Sequence, residues 1–237
     1  MKHIYQQFIQ HKKNQNKDLA ILIDPDKVEV KSVKKWAKKI KKAQADYIFV
    51  GGSLLEDSKM HKLVKKLKKH IDLPIVLFPG NPLQITGKAD AILFLSLISG
   101  RNPEYLIGHQ VAAAPLLAKK KIEVISTGYI LVENGHKTSV EYISHSQPIP
   151  RNKKDIAVAT ALAGEMLGMK TLYLEAGSGA HKPVPLEMIQ AVAHSTHIPL
   201  MVGGGIKTRK QVLQAWNAGA DIVVVGTAFE NNTFDKN

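Results

Sequence analysis

Short apolar or β-branched runs recur along the chain at Leu19 to Ile23, Tyr47 to Val50, Ile75 to Phe78, Ala91 to Leu95, Ile122 to Ile125, Thr171 to Leu174, Leu200 to Val202 and Ile222 to Val225. Each has about the length of a strand buried on both faces, as parallel strands are. Between most of them the apolar positions switch to helical spacing. From Val28 to Ala45, Val33, Trp36, Ala37 and Ile40 fall at i, i+3, i+4 and i+7, with lysines on the other faces. Met60, Leu63, Val64 and Leu67 repeat the pattern within Lys59 to His70, and further helical patterns cover Asn102 to Lys120, Asp155 to Met169, Pro185 to Ser195 and Thr208 to Ala218.

Strand and helix alternate over 237 residues without a linker or a break in composition, which predicts one domain spanning 1–237. Eight such strands fit a single (β/α)8 TIM-type barrel better than a doubly wound sheet. Two places depart from the pattern. Between Phe78 and Ala91 the chain reads PGNPLQITGKAD, with two prolines and two glycines where a crossover helix belongs. The third helix is therefore expected to be missing or replaced by an extended segment, leaving a slot in the wall where a long apolar ligand could lie. Only a dozen residues follow the Ile222 to Val225 run, so the last helix must be short.

Composition removes several alternatives. Cysteine is absent, which excludes disulfide frameworks, thiolate metal sites and cysteine nucleophiles. No apolar run approaches the roughly 20 residues of a membrane span, and the N-terminal stretch lacks the apolar core of a secretory signal, so a cytoplasmic protein is expected. Lys and Arg total 33 against 20 acidic residues, a formal charge of +13. Only Arg101, Arg151 and Arg209 are arginines, whereas readers of bases and phosphates favour the guanidinium fork. The lysines read as solvated helix faces with no nucleic-acid partner; peripheral contact with an anionic membrane is the other use they suit.

In a barrel the chemistry sits at the carboxyl ends of the strands. The seventh strand ends in Gly203, Gly204 and Gly205 and the eighth in Gly226 and Thr227, so backbone amides there can approach a phosphate. The sixth ends in Glu175, followed by Ala176, Gly177, Ser178 and Gly179: a carboxylate at the mouth, suited to general-base work, before a flexible loop with a hydroxyl. The first ends in Asp24-Pro25-Asp26-Lys27, an acidic corner suited to Mg2+, with Ser53 after Gly51 and Gly52 placed to join the metal shell. His109, inside an apolar helix, is expected to be a packed residue, and Lys207 either touches phosphate or simply starts a helix. No HExxH, GxSxG, Walker A or GxGxxG motif follows a strand.

Assembled in order, LIDPDK (22–27), VGGSLLEDS (50–58), LFPGN (77–81), ADAILFLSLISGRNP (89–103), STGYILVENG (126–135), YLEAGSGA (173–180), GGGI (203–206) and VVVGTA (223–228) resemble the geranylgeranylglyceryl phosphate synthase family, archaeal-like branch. The resemblance implies a barrel with its third helix replaced, and a prenyltransferase joining the C3 hydroxyl of sn-glycerol 1-phosphate to a polyprenyl diphosphate with Mg2+. It implies Mg2+ at Asp24 and Ser53, and glycerol phosphate at Tyr173, Glu175, Gly177, Ser178, Gly203, Gly204, Gly226 and Thr227, with Glu175 catalytic. FPGN and STGYILVENG favour geranylgeranyl diphosphate as donor. A heptaprenyl or other donor in the same reaction, or a phosphate-binding barrel isomerase, is the alternative. The family also implies a homo-oligomer, hexamer or dimer. Some members carry a lysine where this chain has Leu22, so a phosphate contact from that position is absent here.

Overall fold

The computed structural model describes residues 3–52, 57–82 and 84–234. Among these, the apolar runs become β1 (Asp18–Ile23), β2 (Tyr47–Val50), β3 (Ile75–Leu77), β4 (Ala91–Leu97), β5 (Glu123–Leu131), β6 (Thr171–Glu175), β7 (Leu200–Gly203) and β8 (Ile222–Val225). All neighbours pair in parallel, and β8 returns to β1 through Asp18↔Ile222 to Ile21↔Val225, closing the barrel. The amphipathic patterns become α2 (Val33–Lys42), α3 (Asp57–Leu67), α4 (His109–Ala118), α6 (Lys154–Met166), α7 (Leu186–Ser195) and α8 (Arg209–Asn217) around it. The described residues between β3 and β4 form turns and bends and no helix. Among the described residues after β8 the helix is α9 (Thr227–Glu230), one turn long.

Two helices carry no sequence signal of this kind. α5 (Ser139–Ser144) is six residues long and leaves Tyr142 and Ile143 exposed; it starts because the Thr138 hydroxyl accepts the Glu141 amide at 3.3 Å. α1 (Ile4–Lys13) precedes the barrel and buries Ile4 and Phe8 in the core, with Tyr5 packed partly against it. β5 also runs six residues past Ile125, where its expected apolar run ends. Its polar Thr127 is tolerated inside the wall because its hydroxyl meets the Thr171 hydroxyl and the Ile125 carbonyl, each at 2.9 Å.

Period-2 alternation sorts the strand side chains into two layers. Ala20, Phe49, Leu93, Tyr173, Met201 and Val224 fill the barrel interior, while Ile21, Ile48, Ile92, Leu172, Val202 and Val223 pack against the helices. The floor is closed by α1. Ile4 and Phe8 are fully buried in the interior layer, Phe8 sets its ring edge-on to Tyr47 at 5.1 Å, and the Glu123 carboxylate accepts the amides of Ile4 and Tyr5 at 2.6 and 3.2 Å. Those amides belong to the first turn of a helix and have no partner within it. Phe8→Ala is therefore expected to cost about 3–5 kcal/mol of unfolding free energy, a buried-aromatic truncation. Urea denaturation checks this; a loss near zero would show that the floor does not need the plug.

Candidate active site

The strand tails converge on one cavity of about 440 Å³. On one side lie the tails of β6, β7 and β8. Tyr173 and Glu175 alternate with Leu172 and Leu174, so both point inward. The register Glu175↔Gly203 and Gly203↔Val224 sets the three tails level. Gly203 is there because no side chain fits: a Cβ would lie 2.2 Å from the Tyr173 hydroxyl and 3.1 Å from Glu175 Oε2. Around this carboxylate, Gly177, Ser178, Gly204, Gly205, Gly226 and Thr227 line the cavity. The Ser178 and Thr227 hydroxyls come within 3.4 Å of each other, joining the loop after β6 to the tail of β8.

Glu175 is 5% exposed at the cavity wall, and burial pushes its carboxyl up to about 7 against the two groups that stabilise its charge. One is the Gly177 amide, which donates to Oε1 at 2.6 Å. The other is the Tyr173 phenol, which lowers the Glu175 value but makes no well-aligned hydrogen bond within the chain, leaving its buried hydroxyl available to a ligand. The result is a carboxylate that changes charge near neutrality beside loops whose amides and hydroxyls suit a phosphate. That combination can orient and deprotonate a hydroxyl on a phosphorylated substrate.

Beside the β8 tail, at the end of β1, lies the acidic corner. Asp24 caps a 3-10 turn (Pro25–Lys27), its Oδ1 accepting the Asp26 amide at 3.0 Å. Burial holds its carboxyl above the usual range. The corner is narrower than the sequence suggests. Asp24 lines the cavity, but the turn carries Asp26 outward to Lys59 at 3.7 Å, so the two aspartates do not share a ligand. Ser53 lies outside the described residues. Among the described residues no group of three or more His, Asp or Glu side chains gathers to hold a metal. Mg2+ does not require one, since it takes one or two carboxylates plus phosphate oxygens and water. The Oδ2 of Asp24, paired loosely with the Lys27 ammonium at 3.9 Å, lies at the cavity wall and fits that use.

The interval without a helix supplies the third wall. Phe78, Pro79, Gly80, Asn81, Pro82 and Ile85 line the cavity there, and buried Gln84 ties the segment down: its Nε2 donates to the Gly52 carbonyl at 2.9 Å and its Oε1 accepts the Gly80 amide at 2.8 Å. From the polar end the cavity continues between this segment and α4, past Ile92, Phe94 and Ala113. Phe78 stacks on Tyr173 with ring centroids 5.1 Å apart, and Tyr129 lies 5.6 Å from Tyr173, so the carboxylate sits at the head of an aromatic-lined apolar channel.

The structure thus brings together Asp24, Tyr173, Glu175, Gly177, Ser178, Gly203, Gly204, Gly226 and Thr227 as the sequence suggests. His109 is less enclosed than expected: half-buried, it sets its ring 4.5 Å from Tyr105, and both line the channel. Lys207 reaches the cavity rim. Not every lysine of α2 is solvated, because Lys39 turns inward, lies 3.9 Å above the Phe229 ring and donates to the Phe229 carbonyl. Sequence reasoning also passes over Phe78, Tyr129 and Glu230. The first two read as strand residues; Glu230 is one acid in a short tail with no motif around it.

Comparison with known proteins agrees with this geometry. Residues 11–237 match the model of the PcrB family. The chain is 55% identical over 230 residues to the geranylgeranylglyceryl phosphate synthase of Flavobacterium johnsoniae, covering 97% of this chain and 95% of that protein. It is 50% identical over 230 residues to the synthase of the same name from Chitinophaga pinensis, covering 97% and 91%. Among solved structures, (S)-3-O-geranylgeranylglyceryl phosphate synthase from Thermoplasma acidophilum, in complex with its substrate sn-glycerol-1-phosphate, superposes with a TM-score of 0.92 at 34% identity, covering 97% of this chain and 92% of that one. With a family match over nearly its whole length and relatives this similar, the chain belongs to the PcrB family.

Proposed function

We propose that the protein transfers the geranylgeranyl group of geranylgeranyl diphosphate to the C3 hydroxyl of sn-glycerol 1-phosphate. The observation that carries this reading is Glu175, a carboxyl titrating near 7 that stands between a cradle of glycine amides and hydroxyls and the head of an apolar channel. In the reaction a bond forms between the glycerol C3 oxygen and C1 of the prenyl chain, the bond from C1 to the diphosphate oxygen breaks, and diphosphate departs with the electron pair. The hydroxyl proton passes to Glu175 Oε2, since Oε1 is engaged by the Gly177 amide. Gly204, Ser178, Gly226 and Thr227 hold the phosphate end, so that the hydroxyl is fixed while the allylic chain lies in the channel. Phe78, Tyr129 and Tyr173 keep the reacting carbon out of water, where the diphosphate would otherwise be hydrolysed. Asp24, with Ser53, would hold Mg2+, which when bound offsets the charge of the departing diphosphate.

In this reading the protein acts in the cytoplasm as a homo-oligomer, hexamer or dimer, supported by the exposed apolar Ile107, Val111 and Tyr142. Its lysine faces on α2 and α3 touch anionic membrane during hand-over of the amphiphilic product. Among the described residues no helix is long and apolar enough to cross a membrane. The deciding experiment incubates the protein with radiolabelled sn-glycerol 1-phosphate, Mg2+ and prenyl diphosphates of increasing length. Organic-extractable label is expected with the geranylgeranyl donor above shorter and longer ones. A maximum at the heptaprenyl donor would move the substrate assignment, and no product with any donor would overturn the reading.

A further inference from the structure

A cavity that joins a glycerol phosphate to a prenyl diphosphate must seat two anions, and the glycine cradle provides for one of them. Among the described residues lining the cavity, two are lysines, Lys27 and Lys207. They belong to different walls. Lys207 comes one residue after the glycine turn of β7, on the cradle side, whereas Lys27 ends the turn after β1, beside Asp24. We infer that Lys27 is the cation that binds the diphosphate of the prenyl donor, and that Glu230 is the positioning residue that holds it in place. The inference rests on the prenyl-transfer reading and adds to it the protein group that meets the leaving diphosphate.

The geometry around Glu230 carries the argument. Its carboxylate divides between two tasks: Oε1 accepts the Asp24 amide at 2.9 Å and Oε2 accepts the Lys27 ammonium at 2.8 Å. One buried side chain therefore fixes both the backbone of the proposed metal ligand and the adjacent cation. The burial is lopsided in a useful way, because the Glu230 side chain is 5% exposed and that of Lys27 is 48% exposed. An ammonium has three donors; one is spent on Glu230, and Asp24 Oδ2 lies 3.9 Å away, so donor capacity remains toward the cavity. Held this way, the lysine loses little of its side-chain freedom on meeting an anion.

Glu230 is itself anchored. Lys39 donates to the neighbouring Phe229 carbonyl and lies over the Phe229 ring, and Trp36 packs against that ring at 5.9 Å. α9 thus links the two anion seats: its first residue, Thr227, lines the cradle and its last, Glu230, builds the neighbouring corner at the end of β1. The corner has two carboxylates to one ammonium. A diphosphate is repelled there unless Lys27 and a divalent cation both contribute, whereas the neighbouring cradle needs neither.

Calorimetric titration of inorganic pyrophosphate with Mg2+, and separately of sn-glycerol 1-phosphate, tests this on the wild type, Lys27→Met, Lys27→Arg and Glu230→Gln, with thermal unfolding confirming that each is folded. Lys27→Met is expected to weaken pyrophosphate binding at least about tenfold while leaving sn-glycerol 1-phosphate within about twofold. Lys27→Arg recovers part of the loss. Glu230→Gln, which keeps an acceptor for the Asp24 amide but not the charge that holds the lysine, falls between. In turnover the same variants raise KM for the prenyl donor and not for sn-glycerol 1-phosphate. Equal pyrophosphate affinity in the wild type and Lys27→Met, or a parallel loss of both ligands, overturns the inference. A wild type that binds pyrophosphate through Lys27 yet makes no ether product supports the seat and overturns the prenyl-transfer reading, so the two failures are told apart.

Discussion

Glu175→Gln is expected to lower kcat by about two to four orders of magnitude, the range a positioned acid–base group supplies, while the barrel stays folded. Glutamine keeps the shape, and its Oε1 still accepts the Gly177 amide, so the loop after β6 retains its anchor. What disappears is the capacity to take a proton. In the wild type, kcat/KM should rise with pH and level off above about 7, where the carboxyl ionises. The variant's residual activity should lack that limb. A Glu175→Gln protein with near wild-type kcat, or an unchanged pH limb in the variant, would remove Glu175 from the base role.

The same substitution should stabilise the fold at high pH, and the sign follows from the direction of the shift. Burial raises the folded-state value from 4.5 to about 7, disfavouring the charged form. Below 4.5 the carboxyl is protonated in both states and the wild type bears no penalty. Between 4.5 and 7 the unfolded chain releases its proton while the folded chain keeps it, so stability falls as pH rises; above 7 the full cost persists, roughly 3 kcal/mol. Glutamine does not titrate. The variant's advantage over the wild type should therefore be larger at pH 8 than at pH 4 by about that amount, measured by urea denaturation at both. A difference independent of pH would mean that Glu175 is not held in a desolvating site. Lost activity with gained stability is what a binding site built at the fold's expense predicts.

The barrel was legible because two short-range periodicities repeat across the whole chain, and because PGNPLQITGKAD cannot form a regular crossover helix. α1 was not, since its Ile4 and Phe8 gain their energy from a barrel interior assembled from residues far along the chain. The cradle was legible for the opposite reason: glycines at strand tails are local, and their need for close approach shows in the sequence. Glu230 depends on a contact spanning 206 residues, from α9 back to Asp24, and no spacing rule reaches that far. Asp26 shows the converse error. Two aspartates two residues apart look like one ligand pair, yet a single 3-10 turn leaves Asp24 on the cavity wall and carries Asp26 outward to Lys59.

Gly204→Ala is the second large effect, and it separates collision from backbone strain. Gly204 has φ +82°, and a Cβ there would lie 2.4 Å from Glu175 Oε1 and 2.7 Å from the amide nitrogens of Ala176 and Gly177. The two amides are backbone of the neighbouring β6 tail and cannot swing aside as a side chain would. Relief must come from moving the loop after β6, which carries the Gly177 bond to Glu175 and the Ser178 hydroxyl. Affinity for sn-glycerol 1-phosphate is expected to fall by about a hundredfold, and stability by about 1–3 kcal/mol. Gly168→Ala is the control: it has a nearly identical φ of +83° but open space around the added carbon. It should show the strain in its unfolding midpoint and none of the binding loss. If Gly204→Ala matches Gly168→Ala in both calorimetry and denaturation, close approach at Gly204 is not what shapes the cradle; if it loses the phosphate ligand while pyrophosphate still binds at the Lys27 corner, the two anion seats are separate parts of one site.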